Sequence, residues 1–325
     1  MAKLPVTLGC IDYLDRTRPL FDGTVEPPGI ALTAVPLRPP ELFGRLGEFD
    51  VHELSLAAHL ALPFLGDDRF VGLPVFPYRS YLVGNVVVNT ASGIERPEDL
   101  AGKRVGTPGL HLAGTIWIRG FLADEYGVRD SQVQWVTSLA LFGPVSERLA
   151  RSMLAPDLAV EDVPPDRSLS DLLERGEIDA WLGPSVPACF ERGAPTVRRL
   201  FPDYRAIEED YARRTGIFPI LHTLVLRREL YERHRWIAGT LLRAFERARE
   251  VGSARLVNDG VYACGLPWLR HDLETLSALF GGDPYRYGFA ANRAVLATMA
   301  RYAAEQHLTP APVDVATAFA AETVT

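Results

Sequence analysis

Short apolar runs recur along the chain, each followed by a loop or an amphipathic stretch, and no flexible tether divides one half from the other. Val6-Thr7-Leu8-Gly9, Ile30 to Pro36, Phe49-Asp50-Val51 and Val71 to Val75 read as strands. Asn85 to Asn89, Lys103 to Gly106, Gln132 to Val136, Ile178 to Leu182 and His222 to Leu226 continue the series. Strands alternating with helical stretches are the mark of βαβ units on a mainly parallel sheet, so the fold class is α/β. A length of 325 residues supplies roughly two ordinary domains. Without a linker, a chain that builds a second core and returns to the first needs two short crossings. Asn85 to Asn89 and His222 to Leu226 suit that task. One lobe is therefore expected at residues 1–86 plus 224–325 and the other at 87–223, with a ligand cleft between the lobes.

Helix punctuation agrees with this alternation. Pro97 suits a first helical turn and Gly102 its C-cap. A helix is expected from about Thr115 to Tyr126, stopped by Gly127, and another from Leu169 to Arg175, ended by Gly176. Phe142 to Arg167 is Pro-rich and reads as an irregular surface excursion. The last third reads as helical over Arg228 to about Leu256, Asp272 to Leu279 and Asn292 to Glu305.

Composition removes several functions. A net charge of -7 argues against nucleic acid, which needs a basic face, yet it leaves room for arginines gathered around a small anion. No stretch approaches the roughly 18 apolar residues of a membrane span, and the N-terminus lacks a signal peptide's apolar core, so the cytoplasm is the expected compartment. Cys10, Cys189 and Cys264 are odd in number and far apart, and are expected as small buried residues. The histidines at 52, 59, 111, 222, 234, 271 and 307 show no metal-binding spacing, and no phosphate loop, dinucleotide fingerprint or Gly-x-Ser-x-Gly elbow occurs. No metal and no cofactor are expected. A homo-oligomer is left open.

Ligands of open α/β sheets sit beyond the carboxyl ends of the strands, and several polar residues fall there. Arg16 and Arg18 follow the first strand, for capture of a carboxylate or for ion pairs with Asp12 and Asp15. Val51-His52-Glu53-Leu54-Ser55 ends the third strand, where Glu53 and Ser55 share a face and His52 points away. Glu53 is a candidate proton donor or acceptor, or else a structural partner of an arginine. Ser55 offers a hydroxyl to a ligand or a cap to a helix. His222, at the return crossing, is either a proton donor or a hydrogen-bonded core residue. Arg79 is a candidate ligand contact near the first crossing. Thr107, His111, Thr115 and Arg119 lead into the second lobe's main helix, the last three at a spacing that shares one face. Arg119 is equally suited to pairing with Asp124 or Glu125.

Four stretches carry a family resemblance. Glu98 to Gly106 and Gly176 to Ala180 resemble second-lobe signatures of type II periplasmic binding proteins. Asp12 to Leu20 and Arg214 to Thr223, with Pro74 to Pro77 and Leu200 to Tyr204, resemble the 4,5-dihydroxyphthalate decarboxylase family over nearly the whole chain. The resemblance implies a two-lobed periplasmic binding protein type II fold turned into an enzyme that removes CO2 from a hydroxylated aromatic or similarly activated carboxylate. It favours His222 as the acid. Leu82-Val83 stands where the family carries Arg-His, and Pro108-Gly109-Leu110 where it carries Pro-Glu-Tyr, so a less polar or differently shaped acid is expected. The expected partner is a small-molecule carboxylate. A solute-binding protein of a transporter would share the fold but calls for an export signal. Related lyases or dehydratases of the same fold, such as those of menaquinone synthesis, lack the Arg214 to Thr223 stretch.

Overall fold

The computed structural model describes residues 2–139, 141–164, 166–258 and 261–324. The chain divides into two compact units. The first comprises Met1–Arg79, Thr215–Leu296 and Asp314–Thr325, and the second Ser80–Arg214 and Ala297–Val313.

Strands β1 (Leu4–Cys10), β2 (Ile30–Pro36), β3 (Val51–Ser55) and β4 (Phe70–Leu73) belong to the first unit. The second unit holds β5 (Val87–Asn89), β6 (Arg104–Gly106), β7 (Gln134–Thr137), β8 (Val160–Asp162), β9 (Ala180–Trp181) and β10 (Val197–Arg199). β11 (His222–Arg227) returns to the first unit. The first sheet runs β2-β1-β3-β11-β4 and the second β10-β5-β9-β6-β7-β8.

In the first sheet the edge strand β2 buries only Ile30 and leaves its other residues half-buried or exposed, whereas all five residues of the central strand β3 are buried. β1 is parallel to β2 and β3, and β11 is antiparallel to both β3 and β4. β11 therefore begins at the edge where β1 and β3 end. In the second unit Val87, Val136, Leu172, Ile178 and Trp181 form part of one apolar cluster. The helix Ala113–Tyr126 is buried over its first ten residues. Gly120 lets the ring of Tyr302 lie against it, since a Cβ there would come within 2.4 Å of that ring. Tyr302 also donates to Asp124 at 2.6 Å, and Gln306 donates to the Ile116 carbonyl. Those contacts account for Ala297–Val313 joining the second unit.

Three sequence expectations are corrected. Phe142 to Arg167 is not an irregular excursion: it contains the helix Pro144–Ser152 and β8, with Leu149 and Met153 fully buried. Pro144 lies in that helix's first turn, where a proline breaks nothing; Pro165 lies outside the described residues. The helix expected from Arg228 is two, Arg228–Arg233 and Trp236–Leu256, separated at His234, whose backbone leaves the helical region. Cys10 and Cys189 are buried, but Cys264 is partly exposed. No helix among the described residues is long and apolar enough to cross a membrane.

Candidate active site

The first unit gathers a polar cluster at the carboxyl edge of its sheet. Register places His222, first in β11, beside Ser55, last in β3, with Glu53 opposite Leu224. The loop after β1 closes over this edge. Within it the buried Thr17 hydroxyl accepts from the Tyr13 amide at 2.7 Å and donates to the Ile11 carbonyl at 2.8 Å. The Tyr13 carbonyl accepts from the amides of Arg16, Thr17 and Arg18. The helix Trp236–Leu256 supports the loop through Gly252, where a Cβ would meet the Asp15 carbonyl at 2.5 Å.

Glu53 is fully buried, and three donors converge on it. Its Oε2 accepts from the Ile11 amide at 2.8 Å, and its Oε1 accepts from the Tyr13 hydroxyl at 2.8 Å. The same Oε1 lies 2.7 Å from His222 Nδ1. Because both carboxyl oxygens act as acceptors, Nδ1 is the donating nitrogen of the imidazole. Nε2 has no hydrogen-bond partner among the described residues, and the side chain keeps 15% exposure. The rings of Tyr78 and His222 meet edge to face with centroids 5.1 Å apart, and Tyr78 stacks on Tyr13 at 6.2 Å. Burial, then the neighbouring Glu53, pushes the Tyr13 phenol well above its ordinary value. Burial and the same carboxylate push up the Cys10 thiol.

Arg16 stands beside this group. It donates to the Pro77 carbonyl at 2.8 Å and to Asp15 at 3.0 Å. Its guanidinium lies 4.6 Å from the centroid of the Tyr13 ring and 4.3 Å from that of Tyr285. Arg18 points outward, half exposed, and pairs with Asp12 at 2.9 Å. Ser55 is buried, and its hydroxyl has no partner among the described residues. Arg79 is buried against the Phe76 ring and donates to the Arg286 carbonyl and to Asn292, which anchors the 286–292 segment.

The remaining candidates lie in the second unit. The hydroxyls of Thr107 and Thr115 are 3.3 Å apart and buried. His111 does not share the helix face expected for 111, 115 and 119. The helix begins at Ala113 after an extended Leu112, so His111 belongs to the preceding turn. There its Nε2 meets the Ser146 hydroxyl at 2.7 Å, and burial pulls its pKa down to about 4. Arg119 is buried and pairs with Asp130, which accepts from Nε at 2.8 Å and also from Nη2. The expected partners are engaged elsewhere, Asp124 by Arg301 and Glu125 by Arg214. Asp130 lies past Gly127, where the chain folds back, so helical spacing does not point to it. Leu82, Val83 and Leu110 are buried. Glu208, absent from the sequence-derived candidates, accepts at Oε1 from the amides of Val83 and Gly84, and burial raises its pKa to about 7. Tyr13, Tyr78 and Tyr285 were likewise not singled out, because an isolated tyrosine in a loop carries no spacing signal. No group of three metal-binding side chains occurs among the described residues.

Comparison with known proteins supplies the family. No protein-family model matches the chain. Its backbone resembles the periplasmic aliphatic sulphonate binding protein SsuA of Escherichia coli, with a TM-score of 0.55 and 13% identity over 99% of both chains. It also resembles the alkanesulfonate-binding protein SsuA of Xanthomonas axonopodis pv. citri, with a TM-score of 0.50 and 15% identity over 98% of this chain and 99% of the other. These likenesses show a type II periplasmic-binding-protein fold. The 4,5-dihydroxyphthalate decarboxylase of Comamonas testosteroni is 36% identical over 299 residues, 91% of this chain and 90% of its own. That of Pseudomonas putida is 33% identical over 216 residues, 66% of this chain and 83% of its own. A match of that length and identity, from one end of the fold to the other, places this chain in the 4,5-dihydroxyphthalate decarboxylase family.

Proposed function

We propose that the protein is a carboxy-lyase that removes CO2 from a hydroxylated aromatic acid, with His222 as the proton donor. Membership of the decarboxylase family supports the reaction class. The observation that carries the role of His222 is its pairing with the buried Glu53, which leaves Nε2 without a hydrogen-bond partner among the described residues, with the Tyr78 ring against the imidazole. Arg16 holds the substrate carboxylate, and the Ser55 hydroxyl supplies a further hydrogen bond.

The proton moves from Nε2 of the imidazolium to the ring carbon that bears the carboxylate. The carbon–carbon bond then breaks, its electron pair returns to the ring, CO2 leaves, and His222 recovers a proton from solvent. Glu53 stabilises the imidazolium at Nδ1, as a carboxylate does for histidine in other proton-transfer sites. A ring hydroxyl on the substrate spreads the positive charge of the protonated ring, so the substrate supplies its own electron sink and no cofactor is invoked.

The test is to incubate the purified protein with hydroxybenzoates and hydroxyphthalates while following CO2 release and thermal stability. Release of CO2 from one of them, absent from a control without protein, supports the reading. Stabilisation by an acid without turnover contradicts it and favours a binding protein.

A further inference from the structure

We infer that Tyr13 is a positioning residue that holds the proton-handling pair and the carboxylate-holding guanidinium in one fixed arrangement. The inference rests on the roles proposed above for Glu53, His222 and Arg16.

Glu53 Oε1 receives two donors, the Tyr13 hydroxyl at 2.8 Å and His222 Nδ1 at 2.7 Å, while Oε2 is held by the Ile11 amide. The carboxylate plane is therefore set from two sides. Removing the Tyr13 hydroxyl leaves Oε1 with His222 and Oε2 with the Ile11 amide, so the carboxylate loses the third of its donors. The Tyr13 ring also carries the guanidinium of Arg16, which lies over the Tyr285 ring as well. One side chain thus touches both halves of the proposed machinery.

The backbone beneath it is over-determined. The Tyr13 amide is bound by Thr17, and its carbonyl takes three amides of the same loop. Substitution of the side chain alters the two contacts and leaves the loop in place. Tyr13 is a positioning residue rather than an acid or base, because its proton is committed to Glu53 and burial beside that carboxylate disfavours the phenolate.

The test compares Tyr13→Phe, which keeps the ring and removes the hydroxyl, with Tyr13→Leu, which removes both. Histidine-15N labelling, with the His222 signal assigned from a His222→Asn variant, reports the imidazole tautomer without substrate. In the native protein the neutral ring carries its proton on Nδ1; in Tyr13→Phe the proton stays there, and the Nδ1 signal is expected to shift because Oε1 has lost a competing donor. With substrate, Tyr13→Phe is expected to lower kcat about tenfold with KM within about twofold, and Tyr13→Leu to raise KM about tenfold as well. An unchanged Nδ1 signal in Tyr13→Phe, or a native kcat in it, overturns the inference. The signal is read without turnover, so absence of CO2 release from the native protein overturns the proposed function alone.

Discussion

Replacing Glu208 with glutamine should stabilise the second unit at alkaline pH and leave it unchanged in acid. Glu208 lies on the helix Tyr204–Thr215, buried, with Oε1 2.8 Å from the Val83 amide and 3.4 Å from the Gly84 amide. Burial raises its pKa from the usual 4.5 to about 7, against the opposing pull of those two amides and of Arg199. Each decade of proton affinity is about 1.4 kcal/mol, so charging Glu208 in the folded state costs roughly 3 kcal/mol relative to the unfolded chain. The native state takes up the proton at the higher pH. Between about 4.5 and 7 it therefore binds more protons than the unfolded state, and stability falls as pH rises through that window. Glutamine has no charge to bury, and its amide oxygen can still accept from Val83. Denaturant melts at pH 5 and pH 8, followed by tryptophan fluorescence, read the effect, since Trp117, Trp135 and Trp181 lie in the second unit. The variant should gain about 3 kcal/mol over the native protein at pH 8 and less than about 1 kcal/mol at pH 5. Equal stability of the two proteins at pH 8 would refute the reasoning.

Arg16→Lys keeps the charge but loses the fork, so KM for the carboxylate substrate should rise at least tenfold with a smaller change in kcat; steady-state kinetics showing a native KM would count against its role. Iodoacetamide at pH 8 should label Cys264 in the folded protein and spare Cys10, which is buried with its thiol pushed up, and Cys189, which is buried. Mass spectrometry should then find one adduct folded and three unfolded. Gly252→Ala drives a methyl to within 2.5 Å of the Asp15 carbonyl and should cost about 1–3 kcal/mol in a thermal melt. Gly239→Ala in the same helix meets only the end of the Arg243 side chain at 3.4 Å and should be neutral or stabilising.

Much of the framework is legible along the chain because strand periodicity is a local signal. β2 begins and ends where its apolar run does, and the alternation along Val51 to Ser55 puts Glu53 and Ser55 on one face. Partners distant in sequence are not legible this way. Arg119 finds Asp130 across the end of its own helix, and Tyr13 finds Glu53 forty residues on. The half-helix bearing Tyr302 joins the second unit through Asp124 and Gly120, contacts that no amphipathic pattern specifies. Proline-rich composition hid the helix Pro144–Ser152, because proline at a first turn and proline in a loop look alike in sequence. The buried carboxyl of Glu208 was missed since helical carboxylates are usually solvated, and only tertiary packing against Val83 and Gly84 reveals otherwise.

The central claim is that His222 delivers the proton that replaces CO2. Turnover in deuterium oxide, with the product mapped by NMR and compared between the native protein and His222→Ala, tests it most directly. One deuteron is expected at the carbon that carried the carboxylate, with a fall in rate of about 10²- to 10⁴-fold in the variant and substrate binding retained. A His222→Ala protein that decarboxylates at the native rate would contradict it.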